Sequence, residues 1–422
     1  MLASQHLPTH FSSPFERALH WTNSALVFWF FTFLITGPKT SYATSTLLAL
    51  SLVTLPLTMR TVPTVWKQVS PWLIGLGAYC AYQIIYRLID GGLDARIDPP
   101  ARYLGAIPIV FYLSRYGFRI EAVWAGLAAG CIIGGVVGMQ EVLIDGASRA
   151  QAGHHPIAYG SLLALMSMAG LYFATIAKTH MWRAVLGAGV IAGLIGVLLS
   201  GTRGLYPALI VCFTYIGYRQ IKRFGIPFKS VALAVCASLA IMAAIASQVP
   251  AVQKRFEQTH SEYSRLSKGN LETSFGHRIQ MWHAGLYIIS QRPLFGLGPD
   301  VTRRLDFARE FMEKNRLNKS VLTRYDHLHN LYINETATFG FVGLAALVAL
   351  LYGAFGRLTG EARHIMTIAV LIILVEGLTE TVLNHHRFMM AFVMLATMLQ
   401  AEQFRCASPA NQEASDAAQA PR

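Results

Sequence analysis

Apolar runs of membrane-spanning length recur along most of this 422-residue chain, and no other feature restricts its fold as much. About 20 apolar residues cross a bilayer's hydrocarbon layer as a helix, because helical hydrogen bonds satisfy the backbone where no water reaches it. Such runs lie near residues 18–36, 42–59, 71–89, 99–115, 119–140 and 156–176. Further runs lie near 181–200, 204–220, 228–248, 328–355, 363–380 and 387–403. The pattern predicts an all-α polytopic membrane protein with about 12 transmembrane helices. Composition agrees: 54% of the residues are hydrophobic and 14% charged, against roughly 25% charged in soluble domains, which excludes a water-soluble enzyme.

The formal charge of +13 is informative only once it is placed along the chain. The first run follows MLASQHLPTHFSSPFER, which has neither a strongly basic start nor a convincing cleavage site, so it is expected to be a retained span. With the N-terminus cytoplasmic, every inner turn is basic, from Arg17 and Arg60 to Arg219, Lys222, Arg223 and Arg405. The short outer turns hold only Lys39, Arg96, Arg149, Arg203 and Arg387. Enrichment of Lys and Arg inside places both termini in the cytoplasm.

The expected organisation is helices 1 to 9 over 1–248, an outer loop domain over 249–327, helices 10 to 12 over 328–403, and a polar, disordered cytoplasmic tail over 404–422. The loop carries 13 Lys and Arg against 8 Asp and Glu. A surplus of that sign suits an acidic partner such as a phosphate, and a solvated surface would explain it as well. None of the five cysteines falls in the loop and no CxxC pair occurs, so no disulfide is expected there. There is no internal repeat at a fixed spacing.

Ionisable groups near the hydrocarbon layer are costly and are therefore candidate functional residues. Arg203, in LLSGTRGLYPAL, sits in an outer turn too short to lift it far into water. A snorkelling helix-end Arg is the bland alternative, weakened by the scarcity of Arg on that side. In the loop, apolar positions from Ile279 to Ile289 recur at helical spacing, placing Arg278 near the start of an amphipathic helix able to lie along the membrane surface. Pro293, Gly296 and Gly298 end it. A guanidinium there offers a planar fork matching phosphate oxygens, while an ordinary interfacial Arg is the alternative. Arg265, Arg292, Arg303, Arg304, Arg309 and Arg324 are not separable by sequence.

His329 lies where the loop enters the tenth run, and histidine is the side chain most easily poised to take a proton near neutral pH. A boundary His is often only structural. Here Asn330, Asn334 and Glu335 follow, and His329, Asn330 and Asn334 are expected to share one polar stripe of a helix that Gly340 and Gly343 thin for a close neighbour. Arg87 and Arg102 sit where anionic lipid can reach, and His154 and His155 where a sugar can, although helix-end anchoring explains each equally. Asp326, His327 and His329 are close in sequence, but no HExxH pattern, cysteine set or carboxylate cluster supports a metal site. No Gly-rich nucleotide loop is present.

The string from His329, His-Asn followed nine residues later by Gly-x-x-Gly, resembles the signature of bacterial O-antigen ligases, within a family that includes O-antigen polymerases. The likeness extends to the twelve spans, the cytoplasmic termini and the large loop between spans nine and ten. It implies a GT-C-like, metal-independent, inverting glycosyltransferase of the Gram-negative inner membrane with its active site at the periplasmic face. The implied donor is a polysaccharide on undecaprenyl diphosphate and the implied acceptor a sugar hydroxyl of lipid A-core oligosaccharide, with no cofactor and no nucleic acid. His329 matches the family's essential His, and Arg203 and Arg278 match its two essential Arg positions. Arg203, Arg278, Asn330, Arg87, Arg102, His154, His155 and Arg265 are the expected substrate-binding residues. The alternatives are an O-antigen polymerase, a protein O-oligosaccharyltransferase and a transporter of lipid-linked sugar, the last disfavoured by the lack of a repeat between halves.

Overall fold

A computed structural model describes residues 13–37, 40–91, 97–225, 227, 229, 230, 233, 236 and 250–407. Every described element is helical. The first half comprises α1 (Pro14–Phe33), α2 (Thr40–Val53), α3 (Leu55–Thr58), α4 (Val62–Gly91), α5 (Asp98–Leu104) and α6 (Ala106–Tyr116). It continues with α7 (Ile120–Met139), α8 (Pro156–Ile176), α9 (His180–Ser200) and α10 (Leu205–Phe224). The loop segment holds α11 (Pro250–Ser267), α12 (Ser274–Gln291), α13 (Val301–Lys314) and α14 (Val321–Arg324). The chain then forms α15 (Leu331–Phe355), α16 (Gly360–Glu376) and α17 (His386–Ala407).

Among the described residues, five stretches are long and apolar enough to cross a membrane: Leu55–Gly91, Ile120–Ile144, Pro156–Ile176, His180–Ser200 and Leu331–Phe355. This is a helical membrane protein. Most of the predicted ninth run, 228–248, lies outside the described residues, as do Lys39, Arg96 and the tail from 408. The other runs fall on helices, with local breaks that proline explains. The second run splits at Thr54, ahead of Pro56, and the fourth splits into α5 and α6 at Gly105, with Pro99 and Pro100 opening α5. A proline has no N–H for the carbonyl four residues earlier and its ring crowds that carbonyl, here that of Leu52 for Pro56 and that of Leu104 for Pro108 in the fourth run. At the C-terminal end, α17 continues to Ala407, past the predicted tail boundary at 404.

The bundle core joins α1, α4, α6 to α10 and α15 to α17. On single helices, buried Trp72 and Leu76 alternate with exposed Ile74 and Ile85, the all-round apolarity of helices that face lipid on one side. Between α4 and α15 the backbones touch: a Cβ on Gly75 would stand 2.3 Å from the Ala349 carbonyl oxygen, and one on Gly353 2.4 Å from that of Pro71. Small residues allow that approach.

The loop segment has a core of its own, Met281, Ala284, Ile288, Ala308, Met312, Val321, Leu322, Leu328 and Ala337. It is fastened to α15 at a break. Gly340 takes φ +71°, and a Cβ there would lie 2.0 Å from the Leu294 carbonyl oxygen. The break frees backbone groups that the loop satisfies: Leu297 and Gly298 donate to the carbonyls of Ala337 and Thr338 at 2.9 Å, and Phe341 donates to Pro293 at 2.8 Å. Gly340 therefore admits the loop backbone, where the sequence predicts close packing of a neighbouring helix. On α12 the buried residues Met281, Ala284 and Ile288 face α15, α13 and α14, while Leu286 is exposed.

Candidate active site

Two chain segments run side by side at the loop end of the bundle, the strap 325–330 entering α15 and the turn 377–385 joining α16 to α17. Asn330 ties them. Its side chain caps α15 by accepting from the Ile333 N–H at 2.9 Å, and its amide donates to the Leu378 carbonyl at 2.9 Å. Next to it the Leu331 N–H donates to Gly377 at 2.7 Å. Because α15 begins only at Leu331, His329 and Asn330 precede the helix and share no helical stripe with Asn334. Asn334 instead accepts from the Leu328 N–H at 3.1 Å and holds the strap. His329 is left in the left-handed region at φ +47°, a conformation costly for a non-glycine residue and kept only where its surroundings enforce it.

That conformation directs the His329 ring at Glu380. Nδ1 of His329 stands 2.8 Å from Glu380 Oε2, and Nε2 of His327 stands 2.7 Å from Oε1. The Thr381 N–H also donates to Oε1, at 2.9 Å. Glu380 is 2% exposed; burial pushes its carboxyl upward, but the two imidazole donors and their charge outweigh burial and hold it well below the usual carboxylate range. A carboxylate only accepts, so Nδ1 of His329 carries the hydrogen and Nε2 keeps a lone pair. Burial lowers the His329 pKa from its ordinary 6.5, Glu380 opposes that, and the charges of His327 and Arg278 add to the lowering. His329 is therefore held neutral with a free basic nitrogen near pH 7.

A cavity of about 550 Å³ opens beside this pair, bordered by His329, Glu380, Tyr325, Arg203, Arg278 and Arg149. The volume lies within the range of small-ligand sites. Arg203 comes from the tight turn after α9, which ends on Gly201 at φ +61°. Its Nη1 donates to Glu262 of α11 at 3.2 Å, while Nη2 is buried without a partner. Arg278 reaches the cavity from the start of α12, which Thr273 caps through the Gly276 N–H. Burial lowers the Arg278 pKa, with Glu380 opposing and Arg203 adding to the effect. Arg149 braces the Arg203 turn, donating to the Ser200 carbonyl at 2.6 Å and to the Thr202 hydroxyl at 3.2 Å. The cavity thus sets three guanidinium groups near a neutral imidazole and a buried carboxylate.

The structure gathers Arg203, Arg278, His329 and His155 around one cavity. It places other expected residues elsewhere. Arg102 pairs with Asp98, His154 donates to the Ile35 carbonyl at 2.8 Å, and Arg265 is exposed on α11; none of the three borders the cavity. Arg87 borders a second, smaller cavity. Glu380 and Arg149 are the residues sequence reasoning missed. Two acidic residues, Glu376 and Glu380, end the apolar run 363–380, and the cost of an intramembrane carboxylate was the available signal. His327, His329 and Glu380 also form a group of metal-ligating type, their nearest atoms within 4.8 Å of one another; here they hydrogen-bond to each other.

Residues 188–348 match the family model described as O-Antigen ligase, a range that contains Arg203, Arg278 and His329. Over that range the chain is similar to the O-antigen ligase family. An uncharacterized protein of Haemophilus influenzae is 25% identical over 259 residues, which make up 60% of this chain and 64% of that relative. The chain thus spans less than two thirds of that relative's length.

Proposed function

We propose that the protein is an O-antigen ligase that joins a polysaccharide carried on undecaprenyl diphosphate to a sugar hydroxyl of lipid A-core oligosaccharide. The observation that carries the reading is the Glu380–His329 pair facing a cavity walled by Arg203 and Arg278. In the proposed step the acceptor hydroxyl loses its proton to Nε2 of His329 as its oxygen attacks the anomeric carbon of the donor. The bond from that carbon to the diphosphate oxygen breaks, the diphosphate leaves with the electron pair, and the anomeric centre inverts. Arg203 and Arg278 stabilise charge gathering on the diphosphate, and Glu380 stabilises the imidazolium. No nucleotide enters, because the linkage between the donor's anomeric carbon and its diphosphate already carries the transfer potential.

The same reading assigns about 12 spans, with the loop over 249–327 and its cavity on the periplasmic side of the inner membrane. The basic inner turns support that orientation. Holding two lipid-anchored substrates at one cleft removes much of the entropic cost of their meeting.

Reconstitution of the purified chain with lipid-linked polysaccharide and one acceptor at a time tests the proposal. Transfer to core lipid is expected. Transfer only to a second lipid-linked repeat, or only to a protein, would identify a polymerase or a protein transferase instead.

A further inference from the structure

A second cavity, of about 270 Å³, is bordered by the same two segments that build the first. The strap gives His329 to one cavity and Asp326 to the other; the turn 377–385 gives Glu380 to one and Asn384 to the other. Only two residues lie between Asp326 and His329, so their Cα atoms are at most roughly 11 Å apart. The second cavity contains two arginines that the proposed transfer does not use. Arg304 of α13 is only 3% exposed, and its Nη1 is buried without a partner. Arg87 of α4 stacks over the Phe339 ring with its Nε also buried and unpartnered. Gln83 and Asn384 add amide groups suited to sugar hydroxyls.

The cavity wall holds two guanidinium groups and, among the described residues, one carboxylate. That carboxylate, Asp326, is near enough to Arg304 to favour its charge, but no hydrogen bond from it reaches the open Nη1 of Arg304. Asp300, near Arg304, is engaged in capping α13, accepting from the Thr302 and Arg303 N–H groups. Buried Glu335 lies close enough to Arg87 to influence it electrostatically but does not border the cavity. Arg304 remains a cation at neutral pH, its pKa pushed by burial only down to about 10. A buried guanidinium with an open donor is costly unless a ligand completes it, and oxyanions match its geometry.

We infer that this second cavity is the acceptor's anionic subsite, in which Arg304 and Arg87 hold a phosphate or carboxylate group borne by a sugar. The inference rests on the transfer proposed above. Seating a charged sugar here would bring a neighbouring hydroxyl of the same oligosaccharide within reach of the strap that carries His329.

The test is equilibrium binding, without donor, of core lipid to the purified full chain in detergent. The ligands are intact core lipid, core lipid dephosphorylated with hydrofluoric acid, and core lipid with its carboxylates reduced. Wild-type protein is expected to lose about tenfold in affinity when the recognised group is removed, as one charge-assisted contact would give. The stripped ligand that shows the loss identifies the group. Arg304→Gln should weaken binding of intact core lipid by a similar factor and abolish the discrimination between intact and stripped forms. Arg87→Gln should do the same, and it carries the test if Arg304→Gln does not fold. Variants that fold and still discriminate as wild type does would overturn the subsite. Discriminating binding by a wild-type chain that transfers nothing would sink the ligase reading and leave the subsite standing.

Discussion

The Nδ1 of His329 and the Oε2 of Glu380 stand 2.8 Å apart, although 51 residues separate them in the chain. The contact fixes the imidazole tautomer, and the left-handed backbone of His329 shows that its surroundings impose the ring's direction. A base oriented by a buried carboxylate is a recurring arrangement for taking a proton from a hydroxyl.

Removing the base should nearly abolish transfer. His329→Ala is expected to lower the rate by roughly 10²- to 10⁴-fold, the usual contribution of a general base. Glu380→Gln should cost less, because Nε2 survives while its tautomer is no longer enforced. Single-turnover transfer with folded, inserted protein measures both. Wild-type rates for His329→Ala would eliminate the proposed role.

The pH profile follows from the same pair. Only neutral His329 accepts a proton, and its pKa is lowered from 6.5, so kcat/KM should be level through neutrality and fall on the acid side, with the limb below 6.5. Glu380 raises that pKa, so Glu380→Gln should move the acid limb to still lower pH. A limb displaced upward in this variant would contradict the assignment.

The arginines depend on shape as well as charge. Arg203→Lys and Arg278→Lys keep the cation but lose the planar fork, and each is expected to lose roughly 10²-fold in activity, near the cost of one lost transition-state donor. Donor titrations of each variant check it. If both lysine variants turned over normally, specific recognition of a diphosphate by these residues would be excluded.

Arg203, Arg278 and His329 were legible in the sequence from where they stand: an Arg in a short turn between two apolar runs, an Arg at the start of a helical apolar pattern, and a His at the boundary of a run. Glu380 was hidden because the apolar run reads continuously to 380, whereas the helix ends at Glu376 and the chain turns at Gly377. Hydropathy sums over a window and does not register where backbone hydrogen bonding stops. The reading of Asn330 failed for a related reason. An Asn directly before the apolar string LYIN is an N-cap signal, and it marks the helix start two residues after His329. Arg149 shares with Arg203 its place in a short turn between apolar runs, but its role depends on a fold that brings it to the turn at Ser200 and Thr202.

The attachment of the loop segment to the bundle rests on Gly340. Gly340→Ala would put a Cβ 2.0 Å from the Leu294 carbonyl oxygen, on a residue at φ +71°. Backbone strain of that kind costs about 1–3 kcal/mol, and the clash with a carbonyl adds to it. The variant should melt at lower temperature and lose activity together, because the same hydrogen bonds position α12 and therefore Arg278. A variant with normal stability and activity would show that the break is not needed.

His327, His329 and Glu380 could ligate a metal ion or serve one another by hydrogen bonding, and the two roles predict different responses to chelation. If they act as hydrogen-bonded partners, extended dialysis against EDTA should leave transfer by purified protein unchanged, and added divalent ions should not raise it. His327→Gln should then remain partly active, since the amide can still donate to Glu380 Oε1. A metal site would behave otherwise: chelation would stop the reaction, a specific ion would restore it, and His327→Gln would bind that ion more weakly. Loss of activity on chelation with recovery on ion addition would therefore replace the base assignment of His329 with a ligand role, since a nitrogen coordinated to a cation cannot at the same time accept the hydroxyl proton.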